Sequence, residues 1–173
     1  MTKLDIINVP HPLLKTLSTP VERVDDEVRK LLDDMLETMY AAPGIGLAAI
    51  QVAVPKRVIV LDTAPEGEED RKPLFLVNPE VTWESEDLNV YSEGCLSVPE
   101  HYADVERPAS VRVKYLDYKG DLREDLMEGL TATCVQHEID HLDGIVFIDY
   151  LSKLKRNMII KKVQKATKDT VVL

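Results

Sequence analysis

Apolar residues recur every three or four positions in two stretches of the chain, which is the spacing of an amphipathic helix. The first stretch predicts a helix over residues 25–42, and Pro43 and Gly44 end it because proline disfavours helical backbone at the preceding residue. Its apolar stripe consists of Val28, Leu31, Leu32, Met35, Leu36 and Met39. The second stretch predicts an amphipathic C-terminal helix over residues 151–168, with lysines on one face. Its other face has Leu154, Met158, Ile159 and Val163.

The middle of the chain is rich in β-branched and aromatic residues, and it predicts strands. They cover residues 57–61, 74–77 and 111–115, and residues 118–121 predict a hairpin turn into a further strand over 122–127. Pro65 and Gly67 belong to a predicted surface loop. A further helix is predicted over about residues 130–142, with Gly144 as its left-handed cap. Strands grouped between helices predict an α+β fold rather than an alternating β/α one.

Length and composition favour one compact domain over residues 1–173, with 45% hydrophobic and 30% charged residues. No apolar run is long enough to span a bilayer, and the N-terminus lacks the pattern of a signal peptide. We therefore expect a cytoplasmic protein with no membrane partner. Its two cysteines, Cys95 and Cys134, are then expected to be free thiols.

Charge is unevenly distributed along the chain. The net charge is −10, which argues against DNA as a partner. After Tyr150, however, seven basic residues stand against one acid, so this segment has a charge of +6 and the rest of the chain −16. The predicted basic helix over 151–168 suggests docking on ribosomal RNA near emerging chains. A solvated helix face packed on the domain explains the lysines equally well.

The strongest local motif is H-E-x-x-H, formed by His137, Glu138 and His141. On a helix, residues i and i+4 share one face, so two imidazoles can bind one ion, at about 2.0–2.1 Å for zinc. Glu138 can then reach a metal-bound water, which the ion makes acidic enough to lose a proton near neutral pH. The pattern predicts a metal-dependent hydrolase. The alternative is a helix with two partly buried histidines and a surface acid.

Two protein ligands are too few for a catalytic metal site, which usually has three and an open position. Cys134 is excluded, because it precedes His141 by seven residues and therefore lies about 10 Å away along the helix. Cys95 follows Gly94, which permits a tight backbone path, and could present a thiolate from a stiff strand or turn. Spacing alone does not distinguish this role from that of a buried structural cysteine. His101, which follows the same segment, is a weaker candidate for the third ligand, and His11, between two prolines, is expected to be structural or exposed.

A glycine-rich segment, residues 43–52, precedes the strands. It is not a nucleotide-binding fingerprint, because it follows a helix and lacks the third glycine and the phosphate-binding lysine. It either lets the backbone approach a ligand, with Gln51 as an amide donor, or is a plain connector.

Three segments together resemble the signature motifs of the peptide deformylases in order and spacing. They are Gly44-Ile-Gly-Leu-Ala-Ala-Ile-Gln51, Glu93-Gly-Cys-Leu-Ser97 and Gln136-His-Glu-Ile-Asp-His141. The resemblance extends over nearly the whole chain. It implies a single α+β domain with antiparallel or mixed sheets around a central helix that bears H-E-x-x-H, plus N-terminal and C-terminal helices.

The resemblance also implies an activity. Such an enzyme removes the N-formyl group from nascent polypeptides that begin with formyl-methionine, and releases formate. By position, Cys95, His137 and His141 would bind one divalent ion, and Glu138 would be the general acid/base. Iron(II) is the implied native metal, and zinc, nickel or cobalt can replace it.

The family's mechanism assigns two more residues by position. The Gln51 amide and the Leu96 N–H would hold the oxyanion after a metal-bound water attacks the formyl carbon. Glu138 would then protonate the departing amine.

Substrate contacts follow from the same resemblance. Backbone around Ile45 and Gly46 would pair with the peptide like an added strand. Leu130, Cys134 and Tyr91 are our predicted walls of the apolar pocket for the methionine side chain.

Two further residues near the second motif invite predictions. Tyr102 stands where some bacterial members have an arginine, so we expect it to alter affinity for the end of the peptide. Arg107 is predicted to pair with Glu93.

Two other functions are compatible with the H-E-x-x-H motif. A zinc peptidase would take its third ligand downstream of His141, where Asp143 and Asp149 are the only acids before the basic segment. A non-enzymatic binding module with a structural metal would need four ligands, and the sequence has no obvious fourth.

Overall fold

The N-terminal helix, α1, spans Asp26–Ala41 and confirms the helix predicted over 25–42. The computed structural model describes residues 2–64 and 70–172, so the predicted loop at Pro65 and Gly67 lies outside the described residues. Asp25 caps the helix, because its carboxylate accepts a hydrogen bond from the Val28 N–H. The apolar stripe is buried against the sheet through Val28, Leu32, Met35 and Met39.

Within the described part of the chain, seven strands form two antiparallel sheets. Five of them pair in the order β1-β2-β3-β6-β7, and the other two, β4 and β5, form a separate hairpin. The strands are β1 (Gly46–Ala48), β2 (Val58–Leu61), β3 (Leu74–Glu84), β4 (Leu88–Cys95), β5 (Val98–Pro108), β6 (Ser110–Leu116) and β7 (Leu122–Glu128). The four strands predicted from composition correspond to β2, β3, β6 and β7.

The β4–β5 hairpin was not predicted from the sequence, because its alternation is inverted. Leu88 and Val90 on β4 are more than half exposed, whereas Glu93 and Arg107 are buried. A strand whose inward face is charged does not show the apolar alternation that indicates a half-buried strand. The reason for this polarity is the site that the hairpin covers.

The third motif lies on α2, Gly129–Leu142, between the five-stranded sheet and the hairpin. Its apolar residues Ala132, Val135 and Leu142 belong to the main core. Gly144 follows with φ +79°, and a Cβ there would lie 2.6 Å from the Lys15 carbonyl oxygen, so the predicted glycine cap is confirmed. The predicted fold class is also confirmed: a single α+β unit with antiparallel sheets around the H-E-x-x-H helix.

The C-terminal helix, α3, spans Lys153–Val172 and follows a 3-10 helix at Phe147–Tyr150. Val163 is buried and Ile159 packs on the core, but Leu154 and Met158 are 73% and 49% exposed. The apolar face predicted for this helix is therefore only partly covered. The helix packs on the core through Ile159, Ile160 and Val163. Val163 follows the two isoleucines by four and three residues, about one turn, so the three lie on one side. Among the described helices, none combines the length and apolarity that crossing a bilayer requires.

Candidate metal centre

Two elements bring three metal-ligand side chains together. Cys95 ends β4, and His137 and His141 lie one turn apart on α2. The Cys95 Sγ is 3.3 Å from His141 Nε2, and one ligand atom of each residue lies within 4.8 Å of the others. A tetrahedral ion with zinc-like bond lengths would separate sulfur and nitrogen by about 3.5 Å. The donor set and its spacing therefore fit a single divalent ion.

The other candidates for the third ligand do not join this group. Cys134 Sγ lies 3.6 Å from the Ile45 carbonyl oxygen, and burial raises the pKa of the Cys134 thiol well above its usual value. His11 is exposed, and its Nδ1 accepts a hydrogen bond from the Leu13 N–H. Within residues 2–64 and 70–172, the only cluster with metal-ligand spacing is the one that contains Cys95, and His101 is not part of it.

Glu93 orients the first histidine. Its Oε1 is 3.0 Å from His137 Nδ1, so the imidazole donates from Nδ1. Burial lowers the pKa of His137, but the Glu138 and Glu93 carboxylates outweigh it and raise the pKa. A bound ion would displace the proton from Nε2, whose lone pair would then face the ion site. Arg107 holds Glu93 with a two-pronged contact of 2.7 and 2.9 Å, which confirms the predicted pair. Burial raises the pKa of the Glu93 carboxyl, but the hydrogen bonds from His137 and Arg107 outweigh it and lower the pKa. Glu93 therefore stays ionised.

His141 is fully buried, and burial lowers the pKa of its imidazole well below the usual value. A neutral imidazole has the lone pair that a metal ligand needs. This buried position explains how His141 can serve as a ligand without competition from a proton.

Glu138 lies beside the histidines with its carboxylate in the cavity. Its Oε2 is 3.9 Å from His137 Nε2, and the residue is 4% exposed. Burial raises the pKa of the Glu138 carboxyl to about 7, so the group can exchange a proton near neutral pH. Among the described residues, Glu138 Oε1 has no hydrogen-bond partner. A buried oxygen without a partner is unfavourable, so its place suits a water or an ion in the cavity.

The Gln51 side chain is held by hydrogen bonds to its own motif and to the second motif. Its Oε1 accepts from the Ala48 N–H at 2.9 Å, and its Nε2 donates to the buried Ser97 hydroxyl at 3.0 Å. The same Nε2 lies 3.5 Å from Cys95 Sγ. The Gln51 amide is thus fixed next to the ligand cluster. Leu96 occupies the two-residue turn between β4 and β5 and borders the same cavity.

A cavity of about 700 Å³ opens over the cluster. All five predicted substrate contacts line it: Ile45, Gly46, Tyr91, Leu130 and Cys134. Ile45 and Leu130 are 44% and 41% exposed at its mouth, whereas Cys134 is buried. A Cβ on Gly46 would lie 2.5 Å from Glu138 Oε2 and 2.8 Å from Cys134 Sγ. Glycine therefore allows β1 to approach the helix that bears Glu138.

Tyr102 lies at the mouth of the cavity and is 70% exposed. Opposite β4 the β5 strand is irregular here: Cys95 pairs with Val98, but Glu93 pairs with Ala103. Between these two pairs β5 has three more residues than β4, and the Tyr102 ring covers the backbone of Gly94, where a Cβ would lie 2.5 Å from Cε1. The predicted effect of Tyr102 on the peptide end remains a prediction.

Three supporting residues escaped the sequence analysis. Glu93 was not linked to His137, and neither Ser97 nor Asp140 was assigned a partner. Asp140 accepts from Arg107 Nη1 at 2.8 Å. All three lie within the recognised motifs. Their position next to the metal ligands in the sequence is the feature that could have indicated a supporting role.

Comparison with known proteins gives one consistent result. A family model described as "Polypeptide deformylase" matches residues 3–157. A peptide deformylase of Phenylobacterium zucineum is 63% identical over 95% of this chain and 96% of its own. A crystal structure of the peptide deformylase from Ehrlichia chaffeensis superimposes with a TM-score of 0.93 at 43% identity, over 98% of this chain and 99% of that one. The same protein in complex with actinonin gives a TM-score of 0.91 at 45% identity, over 96% and 98% of the two chains.

Proposed function

Since the chain belongs to the polypeptide deformylase family and is an enzyme of that family, we propose that it removes the N-formyl group from formyl-methionyl nascent polypeptides. The products are formate and a free N-terminal amine. We assign the activity to residues 1–173 as one catalytic domain. The observation that supports this most directly is the Cys95, His137 and His141 cluster in the same cavity as the Glu138 carboxylate.

One divalent ion is the proposed cofactor, with Cys95, His137 and His141 as its ligands. When bound, such an ion supplies a Lewis acid that makes water acidic near neutral pH and polarises a carbonyl. Three protein ligands match the number found in catalytic zinc sites, which leave a position for water or substrate.

Glu138 is the proposed general acid/base. Its carboxylate accepts a proton from the attacking water as the new bond to the formyl carbon forms. The carbon–nitrogen bond then breaks, and Glu138 returns the proton to the leaving amine nitrogen. A carboxyl with a pKa of about 7 can perform both steps at neutral pH.

Gln51 and Leu96 are the proposed donors to the formyl oxygen. Removal of one such donor typically costs about 3–4 kcal/mol of transition-state stabilisation. The Gln51 amide is held by Ala48 and Ser97, so little reorganisation is needed when charge develops on the substrate oxygen.

The substrate is proposed to extend along β1. This strand lies at the edge of the five-stranded sheet, so its outer side can pair with an extended peptide. The methionine side chain would enter the part of the cavity bounded by Tyr91, Leu130 and Cys134. Ile45, which precedes β1, and Gly46, its first residue, would contribute the backbone contacts.

Iron(II) is the proposed native metal, with zinc, nickel or cobalt as substitutes, because thiolate and imidazole ligands accept all four. Activity that is lost in air, together with iron in anaerobically purified protein, supports this choice. Air-stable activity with zinc as the only bound metal contradicts it.

The basic helix is the proposed contact with the ribosome, and the cytoplasm is the proposed location of the activity. Lys155, Lys161, Lys162 and Lys165 on α3 are exposed, as such docking requires. Changing these four to glutamate should abolish co-sedimentation with ribosomes while deformylation of a short peptide persists. Unchanged co-sedimentation removes the docking proposal.

The decisive experiment compares formylated and unformylated methionyl peptides and measures formate release. Glu138→Ala should keep the metal and lose turnover, by a factor on the order of 100 to 10,000 if general acid/base catalysis alone is lost. The control is Asp143→Asn. It also removes a carboxylate close to the motif in sequence, but one that forms an ion pair with Arg57 outside the ligand cluster. Retained turnover in the Glu138 variant contradicts the assigned role.

The same assay tests the peptidase alternative, for which internal cleavage without formate is expected. The two downstream acids are engaged elsewhere: Asp143 pairs with Arg57 at 3.0 Å, and Asp149 pairs with Arg156 at 2.7 Å. Neither belongs to the ligand cluster.

A further inference from the structure

Tyr150 is the last residue of the 3-10 helix that precedes α3, and the proposed reaction gives it no role. It is 54% exposed, yet its hydroxyl donates to Asp140 Oδ2 at 2.6 Å. Its ring also lies against the Arg107 guanidinium, with 5.1 Å between Cζ and the ring centroid. A surface tyrosine therefore contacts two members of a largely buried charge network.

This network leads directly to the ligand cluster. Arg107 donates from Nη1 to Asp140 at 2.8 Å and from Nε and Nη2 to Glu93 at 2.7 and 2.9 Å. Glu93 then accepts from His137 Nδ1. The side chains of Arg107 and Glu93 are 6% and 5% exposed, and that of Asp140 is 19% exposed. Tyr150 is thus the member of this chain of contacts that faces solvent.

Arg107 also connects the two elements that bear the ligands. Glu93 precedes Cys95 by two residues on β4, and Asp140 directly precedes His141 on α2. The guanidinium between these carboxylates therefore ties the strand that bears the thiol to the helix that bears the imidazoles. Charge-assisted and two-pronged contacts of this kind have a fixed geometry. Anything that holds Asp140 in place also holds this clamp.

We propose that Tyr150 is a positioning residue for the metal ligands, acting through Asp140, Arg107 and Glu93 on His137. Its hydroxyl donates a hydrogen bond to Asp140 Oδ2, the same oxygen that accepts from Arg107, and its ring shields the guanidinium from water. Without the hydroxyl, Asp140 can turn to solvent, and Arg107 loses one end of the clamp. The imidazole of His137 then has more freedom to leave the bound geometry. The inference rests on the proposed function only in requiring that the cluster bind a divalent ion.

The test compares Tyr150→Phe with the wild-type protein, both loaded with zinc or with cobalt(II). Replacement of a group that directly supports a metal ligand costs about 10–100-fold in metal affinity. Tyr150 acts one step further away, so we expect metal loss to a chelator to be about threefold to tenfold faster. The absorption bands of the cobalt form should also shift. The matched control is Tyr118→Phe, which removes a 3.0 Å hydrogen bond to Asp33, a carboxylate on α1.

A double variant separates positioning from a merely structural role. If Tyr150 acts through Glu93, combining Tyr150→Phe with Glu93→Gln should add little to the effect of Glu93→Gln alone on the rate of metal loss. Wild-type rates and spectra in the Tyr150 variant overturn the proposal. So does a lower melting temperature of the metal-free protein with an unchanged rate of metal loss. Absence of metal binding in the wild-type protein would instead contradict the proposed metal site.

Discussion

Gly46 occupies a position that tolerates no larger side chain without moving Glu138, the proposed general acid/base. A Cβ there would lie within 3 Å of the Glu138 carboxylate and the Cys134 sulfur. These two residues are on one face of α2 and are both buried. At the scale of single residues, the site therefore depends on close approach of backbone as much as on reactive side chains.

Gly46→Ala should reduce kcat/KM for a formyl-methionyl peptide by about 100-fold, because a shift near 1 Å in a catalytic group can cost that much. The control is Gly94→Ala, whose Cβ would lie 2.5 Å from the Tyr102 ring. That ring is 70% exposed and can swing into solvent, so a much smaller loss is expected. Steady-state kinetics and a melting temperature for each variant provide the comparison. Equal losses in the two variants would contradict this explanation.

At the scale of elements, the site is formed where β1, the β4–β5 turn and α2 meet. Backbone contacts bring the N-terminal segment to the same place: the Ile7 N–H donates to the Gln51 carbonyl, and the Val9 N–H donates to that of Ser97. The N-terminal segment is in turn attached to α1. Asp34 on that helix accepts from the Thr2 N–H at 2.7 Å and from Lys30 Nζ at 2.8 Å.

This attachment predicts a pH dependence of stability. The hydrogen bond from Lys30, followed by that from the Thr2 N–H, lowers the pKa of the Asp34 carboxyl. A depressed folded-state pKa stabilises the protein above the unfolded-state value of about 3.9, and this contribution is lost as pH falls through the folded-state value. The free energy of unfolding of wild type should therefore exceed that of Asp34→Asn most above pH 5. Denaturant titrations at several pH values measure the difference, and a difference that stays constant down to pH 2 would be inconsistent with this role.

At the scale of the whole molecule, the site is a product of long-range contacts. Gln51, Cys95 and His141 are each more than 40 residues apart along the chain. Nevertheless the Cys95 sulfur lies within hydrogen-bonding distance of both the Gln51 amide and the His141 imidazole. The unfolded chain cannot present such a cluster. Metal binding must therefore be linked to global folding, because the ion binds the native state and not the unfolded one.

Metal removal should accordingly destabilise the protein. With free metal at 100 times its dissociation constant, binding stabilises the folded state by about 2.7 kcal/mol. For a chain of this size the melting temperature should rise by roughly 5–10 °C on loading. Scanning calorimetry of metal-free and loaded protein measures the rise. The Cys95→Ser variant, which lacks the sulfur ligand, should show little of this rise in melting temperature. A rise as large as that of the wild type would argue for a different metal site.

Local pattern was sufficient for much of this protein. The period of apolar residues in α1, the β-branched runs of β2 and β6, and the glycine after α2 were enough to predict those features, because each depends on neighbours in the chain. The motif His137, Glu138 and His141 likewise fixes two imidazoles on one helical face. Recognition of three motifs in order predicted Cys95 as the third ligand, although spacing alone could not.

Tertiary structure decided the rest. Only the fold reveals that the β4–β5 hairpin turns a charged face inwards, because Glu93 and Arg107 gain their partners from α2. It also decides which side of α3 is covered: Val163 is buried, whereas Leu154, nine residues earlier and on the opposite side of the helix, faces solvent. Periodicity specifies an apolar stripe within an element. The other elements determine which part of that stripe is covered, and which buried charges are neutralised.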